Sequence, residues 1–145
     1  MTKELDRPVT DFLEKCRVGR LATADREGRP HVIPIVYALV DEAIYFVVDE
    51  KPKAPGRRLK RLRNIDENPH VALVVDHYEE EWPRLEYVLV TGRATVVHDA
   101  SEYDRALGRL RARYPQYRAM RLAAETNPLV RIDAEHVHHW AATAS

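Results

Sequence analysis

Cysteine and serine are scarce in this chain of 145 residues, which contains one cysteine and two serines. The single cysteine, Cys16, excludes an intramolecular disulfide and a zinc site built from cysteines. It falls on the apolar side of a predicted helix, which is typical of a core thiol. Ser101 begins another predicted helix and Ser145 is the last residue, so neither is suited to be a nucleophile. The composition therefore argues against a serine hydrolase.

Glycine is also rare, and the five glycines are isolated from one another. Neither the G-x-G-x-x-G pattern of dinucleotide-binding folds nor the P-loop pattern occurs in the chain. Both patterns need clustered glycines, because the backbone must turn tightly against a phosphate. A nucleotide-binding fold of either kind is therefore not expected.

Long apolar runs and net charge are absent as well. The longest apolar stretches, such as residues 71–75, are far shorter than a membrane span, and the first residues lack the apolar core of a signal peptide. Lys+Arg and Asp+Glu number 23 each, whereas nucleic-acid-binding domains usually carry a positive charge. We therefore expect a cytoplasmic protein that binds neither membranes nor nucleic acid.

The spacing of apolar residues predicts a single, mainly β domain over residues 1–145. Residues 43–48 are apolar throughout, which predicts a strand buried on both faces. Pro34 predicts an edge or a bulge in the second strand, and Gly92 a kink in the fifth. Few and short helices favour a small closed β-barrel with peripheral helices over a doubly wound sheet. The six predicted strands cover residues 20–23, 31–40, 43–48, 70–78, 86–98 and 129–140.

Short helices are predicted around this barrel. Asp6 and Pro8 mark the start of the first helix. Ser101 is the predicted N-cap of a later helix, with Asp104 three residues on as in a capping box, and Pro115 ends that helix. A further short helix is predicted over residues 116–124.

Positive charge is concentrated in one segment of this neutral chain. Residues 51–63 contain no acidic side chain; their first half is a predicted loop, and Leu59, Leu62 and Ile65 recur at helical spacing. A helix N-terminus surrounded by cations is suited to bind a phosphate, although a solvated basic surface has the same composition. The seven cations are Lys51, Lys53, Arg57, Arg58, Lys60, Arg61 and Arg63.

Metal binding and acid–base catalysis have weaker signals. His136 and His138 lie on one face of the last predicted strand, with His139 beside them, but no further ligand follows at a fixed offset. We predict no metal site. Because no acid–base pair is evident, the phosphate site favours an enzyme whose chemistry belongs to a bound cofactor.

Several segments follow one another in a distinctive order: GRLAT at 19–23, GRPHVIPIVY at 28–37, AIYFVVDEKPK at 43–53, LKRLRNIDENPHVALVVDHY at 59–78, W-x-R-L at 82–85 and VTGRATVV at 90–97. In this order they resemble the split β-barrel oxidoreductases similar to pyridoxamine 5'-phosphate oxidase, especially the bacterial branch with deazaflavin-dependent members. The resemblance covers nearly the whole chain. It implies a six-stranded split barrel, the FMN-binding split barrel, that forms a homodimer with a flavin-type cofactor in a groove at the subunit interface.

The resemblance also assigns cofactor-binding positions. In such proteins a basic residue three positions before the Asn of an N-[LI]-x-x-N-P segment binds the cofactor phosphate, which here is Arg61, before Asn64. The loop after the third strand contributes Lys51 to Lys53, and Lys60 is placed to share the phosphate. Strands one and two flank the ring, and a loop between strands four and five reaches the cofactor of the other subunit. These last positions are Leu21, Ala22, Thr23, Val32, Ile33 and Pro34 for the strands, and Trp82 and Arg84 for the loop.

Two cofactors and two classes of function remain open. The deazaflavin coenzyme F-420 carries a phosphate and a polyglutamate tail, which would suit the additional cations Lys51, Lys53, Arg57 and Arg58. We therefore expect hydride transfer between F-420 and a small unsaturated organic substrate, with Tyr37, Tyr78, His31 and His77 as candidate proton donors by location. The alternatives are an FMN-dependent enzyme and a non-catalytic flavin- or haem-binding protein. The basic and aromatic C-terminal motif that binds pyridoxamine phosphate in the family is not found, so that substrate is not expected.

Overall fold

The computed structural model describes residues 3–49 and 58–143. These residues form three helices, seven strands and two short 3-10 turns, Trp82–Arg84 and Pro115–Arg118. The helices are α1 (Arg7–Lys15), α2 (Lys60–Glu67) and α3 (Ala100–Arg113). The strands are β1 (Gly19–Ala24), β2 (Pro30–Ile35), β3 (Ala38–Val40), β4 (Ala43–Val47), β5 (His70–His77), β6 (Glu86–Val96) and β7 (Leu129–Ala141). No helix in this part of the chain has both the length and the apolar character that a membrane span requires.

The strands form one antiparallel sheet in the order β2-β1-β5-β6-β7-β4-β3. The sheet curls into a half-barrel around an apolar core, to which α1 contributes Val9, Phe12 and Leu13. The Asp6 carboxylate accepts a hydrogen bond from the N–H of Val9 at 3.1 Å, which confirms the predicted start of α1. The mainly β class with peripheral helices is also confirmed.

The prediction of six strands in a closed barrel is wrong, because the predicted second strand is two strands. β2 pairs with β1, whereas β3 pairs with β4 at the opposite edge of the sheet. Val36 and Tyr37 connect them, and the fully buried Tyr37 donates its hydroxyl hydrogen bond to the carbonyl of Leu13 at 2.6 Å. Burial of Tyr37 against α1 interrupts the predicted strand between β2 and β3. Within the described residues, these two strands are the two edges of an open sheet. Pro34 lies in edge strand β2, as predicted.

Strand β4 is buried on both faces, as its sequence predicts. Ile44 and Phe46 point into the half-barrel core. Ala43, Tyr45 and Val47 belong to a second apolar cluster, which the side chains of α3 complete. The near-continuous apolarity of this strand therefore reflects two separate cores, one on each side of the sheet.

The kink predicted at Gly92 is an irregularity in the pairing of β6 with β7. Thr91 pairs with His136 and Gly92 with Ala134, so one residue of β7 is left over at this point. A Cβ atom on Gly92 would lie 2.0 Å from the carbonyl oxygen of Asp133. Only glycine permits the two backbones to approach this closely.

Helix α3 begins earlier than predicted. Asp99, not Ser101, is the N-cap, and its carboxylate accepts a hydrogen bond from the N–H of Glu102 at 2.8 Å. A carboxylate interacts more favourably than a hydroxyl with the positive end of the helix dipole. The helix ends at Arg113, before Pro115, as predicted.

The helix predicted over residues 116–124 is reduced to the 3-10 turn Pro115–Arg118. Arg111 donates hydrogen bonds to the carbonyls of Tyr117 and Met120, at 3.1 and 2.9 Å. The N–H of Ala123 bonds to the Asn127 side chain, which in turn donates to the carbonyl of Val48 at 3.0 Å. Because side chains satisfy these backbone groups, the segment needs no further helical turn.

The turn between β1 and β2 is organised by Asp25. One oxygen of this buried carboxylate accepts hydrogen bonds from the N–H groups of Glu27 and Arg29, both at 2.9 Å, and the other accepts from the Arg29 side chain at 2.7 Å. Gly28 supplies the positive φ of 83° that the turn requires. These hydrogen bonds, the backbone one from Arg29 first, lower the pKa of Asp25 from 3.8 to about 2.

Replacing Gly92 with alanine should destabilise the fold strongly. The added methyl group would overlap the backbone of Asp133, and we expect a loss of at least about 2 kcal/mol in the free energy of unfolding. The matched control is Gly108→Ala, because Gly108 lies in α3 with open space around its Cα. That change should stabilise by roughly 0.5 to 1 kcal/mol. Denaturant unfolding measures both, and equal effects of the two variants would contradict the close approach at Gly92.

Asp25 should make the fold sensitive to acid. Its pKa is lower in the folded state than its ordinary value, so its contribution to stability is present above about pH 4 and is lost as the pH falls through about 2. We expect Asp25→Asn to be less stable at neutral pH and to lose less stability than the unmodified chain between pH 4 and pH 2. Denaturant unfolding at several pH values tests this, with Asp104→Asn on the exposed side of α3 as the control. Parallel pH curves for Asp25→Asn and the unmodified chain would rule out this role.

Candidate functional site

A cavity of about 270 Å³ lies where the end of β2 approaches the end of β4. Helix α2 contributes Arg61 to its wall, and the 3-10 turn after α3 contributes Tyr117. Apart from Asp49, the other described residues of the wall are apolar. The lining residues are Val18, Pro34, Ile35, Val36, Phe46, Val47, Asp49, Arg61 and Tyr117.

Arg61 is placed at this cavity by the amphipathic pattern of α2. Leu62 and Ile65 face the half-barrel core and fix the rotation of the helix. Arg61 is only 8% exposed, whereas Arg63 is exposed, since two positions along a helix differ by about 200° in direction. A guanidinium on the wall of a cavity can bind an anionic ligand through charge-assisted hydrogen bonds.

Asn64 fixes α2 against β1. Its amide donates a hydrogen bond to the hydroxyl of Thr23 at 3.0 Å, and both side chains are buried. The amide of Asn68, which ends the helix, donates to the carbonyl of Asp25 at 3.4 Å. The two asparagines of the N-I-x-x-N-P segment therefore hold α2 across the first strand. This explains why Arg61 and Thr23, predicted from separate segments, belong to one region of the fold.

The remaining cations of the basic segment are divided. Arg58 pairs with Asp66, and the Lys60 ammonium lies 3.7 Å from the Asp25 carboxylate at the β1–β2 turn. Arg63 is exposed, in agreement with a solvated surface position. Of the described members of the segment, Arg61 is the one on the cavity wall. Lys51, Lys53 and Arg57 lie outside the described residues.

The six positions expected to flank a ring are divided between the two faces of the sheet. Leu21 has no exposed surface, Thr23 is buried, and Ile33 packs against the half-barrel core. The register of β1 with β2 places the other three on the outer face: Ala22 opposite Val32, and Pro34 opposite Arg20. Val32 is 59% exposed, and Pro34 also lines the cavity. Pro34 and Arg61 are thus the predicted site residues that line this cavity within the described part of the chain.

Trp82 and Arg84 lie in the 3-10 turn between β5 and β6 and do not line the cavity. Trp82 is 64% exposed, and its indole N–H donates to the hydroxyl of Tyr78 at 3.4 Å. The Arg84 guanidinium lies 3.3 Å from the carboxylate of Glu81. An exposed tryptophan at a loop tip is available for contact with another molecule. That this loop reaches a second subunit stays a prediction.

Asp49 and Tyr117 were not predicted from the sequence as site residues. The Tyr117 hydroxyl donates a hydrogen bond to Oδ2 of Asp49 at 2.8 Å. Burial, and then the Asp49 carboxylate, raise the pKa of Tyr117 above its ordinary range. The two residues are 68 positions apart in the chain, and Tyr117 falls in a segment that was predicted to be a regular helix, so no local pattern marked them as partners.

The candidate proton donors lie elsewhere. Tyr37 is fully buried against α1, and burial raises its pKa above the ordinary range. His77 pairs with Glu79 at 2.7 Å, and Tyr78 is exposed. His31 lies opposite Thr23 in the sheet. None of the four lines the cavity.

The histidines of β7 face two directions. His136 and His138 are exposed on the outer face, as the period of a strand predicts, whereas His139 pairs with Glu86 at 2.7 Å. Within residues 3–49 and 58–143 no three His, Cys, Asp or Glu side chains are grouped as metal ligands would be.

Comparison with solved structures places this fold among known proteins. A conserved hypothetical protein of Mycobacterium tuberculosis matches with a TM-score of 0.77 and 23% identity over 97% of this chain and 87% of that one. A FAD-binding protein of Mesorhizobium loti matches with a TM-score of 0.69 and 24% identity over 96% of each chain. The haem storage protein HutZ of Vibrio cholerae matches with a TM-score of 0.70 and 18% identity, over 96% of this chain and 95% of that one. At these identities the likeness concerns the fold.

Among functionally curated proteins, none matches the chain. The family model described as pyridoxamine 5'-phosphate oxidase, however, matches residues 5–141. This range contains all strands and helices of the described structure, from α1 to β7. The chain therefore belongs to the pyridoxamine 5'-phosphate oxidase family.

Proposed function

We propose that this chain is an oxidoreductase that binds the deazaflavin coenzyme F-420 and transfers a hydride to or from a small unsaturated organic substrate. The observation that carries the proposal is the position of Arg61, a nearly buried guanidinium on the wall of an otherwise largely apolar cavity. Arg61 also occupies the position at which the resemblance expects the residue that binds the cofactor phosphate. Family membership supports a redox cofactor, and one neighbour of the same fold is a FAD-binding protein.

The residues present fit the phosphorylated end of such a cofactor. A guanidinium bound to phosphate forms charge-assisted hydrogen bonds, which are worth about 1.5 to 3 kcal/mol. The apolar part of the wall, which includes Pro34 and Phe46, is suited to the carbon skeleton beside the phosphate. When bound, a reduced deazaflavin supplies the hydride. The protein's part is to bind the cofactor, align it with the substrate and exclude water.

An FMN-dependent activity is the second candidate, and one observation favours it. Arg58, one of the additional cations that would suit a tail, already pairs with Asp66, and Lys60, which was placed to share the phosphate, lies beside Asp25. The case for a polyanionic tail therefore rests on Lys51, Lys53 and Arg57.

A visible spectrum of the purified protein is also informative, because HutZ of the same fold is a haem storage protein. FMN, haem and the deazaflavin absorb light at different wavelengths.

We further propose that the protein is a homodimer with the cofactor at the subunit interface. The outer face of five neighbouring strands carries apolar side chains in register: Ala22 opposite Val32 and Ala72, Val74 opposite Leu89, and Tyr87 opposite Trp140. Val32 is 59% and Trp140 41% exposed. A contiguous apolar patch of this kind is characteristic of an interface. A second copy would cover the patch symmetrically.

Loss of the Arg61 side chain should weaken cofactor binding. We expect Arg61→Ala to raise the Kd for the cofactor by about 10 to 100-fold, the equivalent of one charge-assisted contact. Arg63→Ala is the matched control, because Arg63 is exposed two residues further along the same helix. Titration of FMN and the deazaflavin measures both, with thermal unfolding to confirm that each variant is folded. Small and equal effects of the two changes would favour a solvated basic surface.

Salt dependence should distinguish the two cofactors. If Lys53 and Arg57 bind a polyanionic tail, the deazaflavin should bind more tightly than FMN, and its affinity should fall more steeply with salt, because exposed charges are screened beyond about 8 to 10 Å. The double change Lys53→Gln with Arg57→Gln should flatten this dependence for the deazaflavin more than for FMN. Arg58→Gln is the control, since Arg58 pairs with Asp66. Tighter binding of FMN to the unmodified chain would establish the FMN alternative instead.

The apolar outer face should control the oligomeric state. We expect a dimer at micromolar concentration by light scattering, and a monomer after Val32→Glu, because the new carboxylate would be buried unpaired in the interface. Thr95→Glu, at an exposed position in the other half of β6, should leave the dimer intact. A monomer without any substitution would exclude both the dimer and a cofactor groove built from two subunits.

A further inference from the structure

The Asp49–Tyr117 pair is a polar group that the phosphate site alone does not explain. Both residues line the same cavity as Arg61, and the Tyr117 hydroxyl donates to Oδ2 of Asp49 at 2.8 Å. Tyr117 is 4% exposed and is held in place by Arg111, which donates to its carbonyl at 3.1 Å. The other carboxylate oxygen, Oδ1, accepts no hydrogen bond from any side chain or backbone group among the described residues.

This arrangement restricts the chemistry of a ligand. Arg61 and Asp49 line the same cavity, so a phosphate bound to Arg61 would share that cavity with a second negative charge, the Asp49 carboxylate. A ligand that carried anionic groups throughout would therefore be unfavourable here. A carboxylate oxygen that accepts from none of the described residues, however, can accept strong hydrogen bonds from the hydroxyl groups of a ligand. The cavity consequently favours a ligand that combines an anionic group with hydroxyl donors.

The volume of the cavity limits which part of a cofactor it can hold. Pockets that enclose a whole drug-sized ligand usually have volumes of about 300 to 1,000 Å³, and this one has about 270 Å³. It is suited to a part of a cofactor rather than to its tricyclic ring. Between the ring and the phosphate, both FMN and the deazaflavin have a chain of hydroxyl-bearing carbons, which suits a cavity lined by Arg61, Asp49, Tyr117 and apolar side chains.

We propose that Asp49 and Tyr117 form a subsite for the hydroxyl groups of a phosphorylated polyol chain whose phosphate is bound by Arg61. This inference rests on the proposed function, since it names the part of the cofactor that the cavity binds. Oδ1 of Asp49 accepts a hydroxyl hydrogen of the chain. Tyr117 holds the carboxylate in one orientation through Oδ2. The pair is thus a specificity determinant, which selects a polyol phosphate over a simple phosphate.

A purely structural role is the competing explanation, because the same hydrogen bond also ties the 3-10 turn to the end of β4. The two roles have different signatures. A structural role predicts that Tyr117→Phe and Asp49→Asn reduce stability and weaken all ligands alike. A binding role predicts a loss that depends on whether the ligand carries hydroxyl groups.

The test uses two probes, ribitol 5-phosphate and inorganic phosphate, titrated by calorimetry or as competitors of FMN. The unmodified chain should bind ribitol 5-phosphate at least about tenfold more tightly. Asp49→Asn should lose about tenfold for ribitol 5-phosphate, but should bind inorganic phosphate equally well or more tightly, because a like charge has been removed. Tyr117→Phe should weaken ribitol 5-phosphate to a lesser degree. Asp104→Asn, on the exposed side of α3, is the matched control and should change neither affinity.

The possible failures are distinguishable. Equal losses for both probes in Asp49→Asn, or no loss for either, would overturn the subsite while leaving the phosphate site at Arg61 intact. If the unmodified chain binds FMN or the deazaflavin but shows no preference for ribitol 5-phosphate over phosphate, the subsite is again excluded and the proposed function stands. If it binds neither cofactor and neither probe, both the subsite and the proposed function are excluded.

Discussion

The guanidinium of Arg113 joins the parts of this molecule that the sheet alone would leave separate. It donates to the carbonyls of Leu13, Glu14 and Cys16, which end α1 and have no partner within that helix. It also donates to the Tyr114 hydroxyl at 2.9 Å and lies 5.2 Å from the centre of the Tyr37 ring. A cation at a helix C-terminus is favoured by the helix dipole as well as by the free carbonyls. One side chain of α3 thereby fixes both α1 and the connection between β2 and β3, which consists of Val36 and Tyr37. Val36 of this connection lines the cavity.

The protein has two apolar cores because strand β4 is buried on both of its faces. A sheet with one apolar face needs one core, but β4 has apolar side chains on both faces, so α3 covers the face that points away from the half-barrel. The hydroxyl of Tyr45 donates to Glu102 at 2.7 Å, and Glu102 also accepts from Arg131 at 2.7 Å, which holds α3 over the sheet through polar groups as well. The turn after α3 is consequently fixed relative to the end of β4, and Tyr117 reaches Asp49.

Burial determines which described cations of the basic segment are suited to bind a ligand. Arg58 and Lys60 are half exposed and lie beside carboxylates, and such surface pairs contribute only about 0 to 1 kcal/mol. Arg61, in contrast, is 8% exposed on a cavity wall, where a charge-assisted hydrogen bond is worth about 1.5 to 3 kcal/mol. The four described cations of the segment, which look alike in the sequence, therefore differ in how well they can bind a phosphate. The proposed site depends on the one whose position in α2 turns it inward.

Local patterns were sufficient for much of the fold. Apolar spacing predicted the mainly β class and the rotation of α2 that places Arg61, and a continuous apolar run predicted the doubly buried β4. A glycine within a strand predicted the irregularity at Gly92. Tertiary contacts decided the rest. Burial of Tyr37 against α1 divides the predicted second strand in two. Where a helix was predicted after α3, the structure has a single 3-10 turn, whose Tyr117 carbonyl accepts a hydrogen bond from Arg111. The pairing of Asp49 with Tyr117 spans 68 positions and has no periodic signal. A sequence pattern reports which residues prefer burial, but only the packed structure determines which distant residues meet.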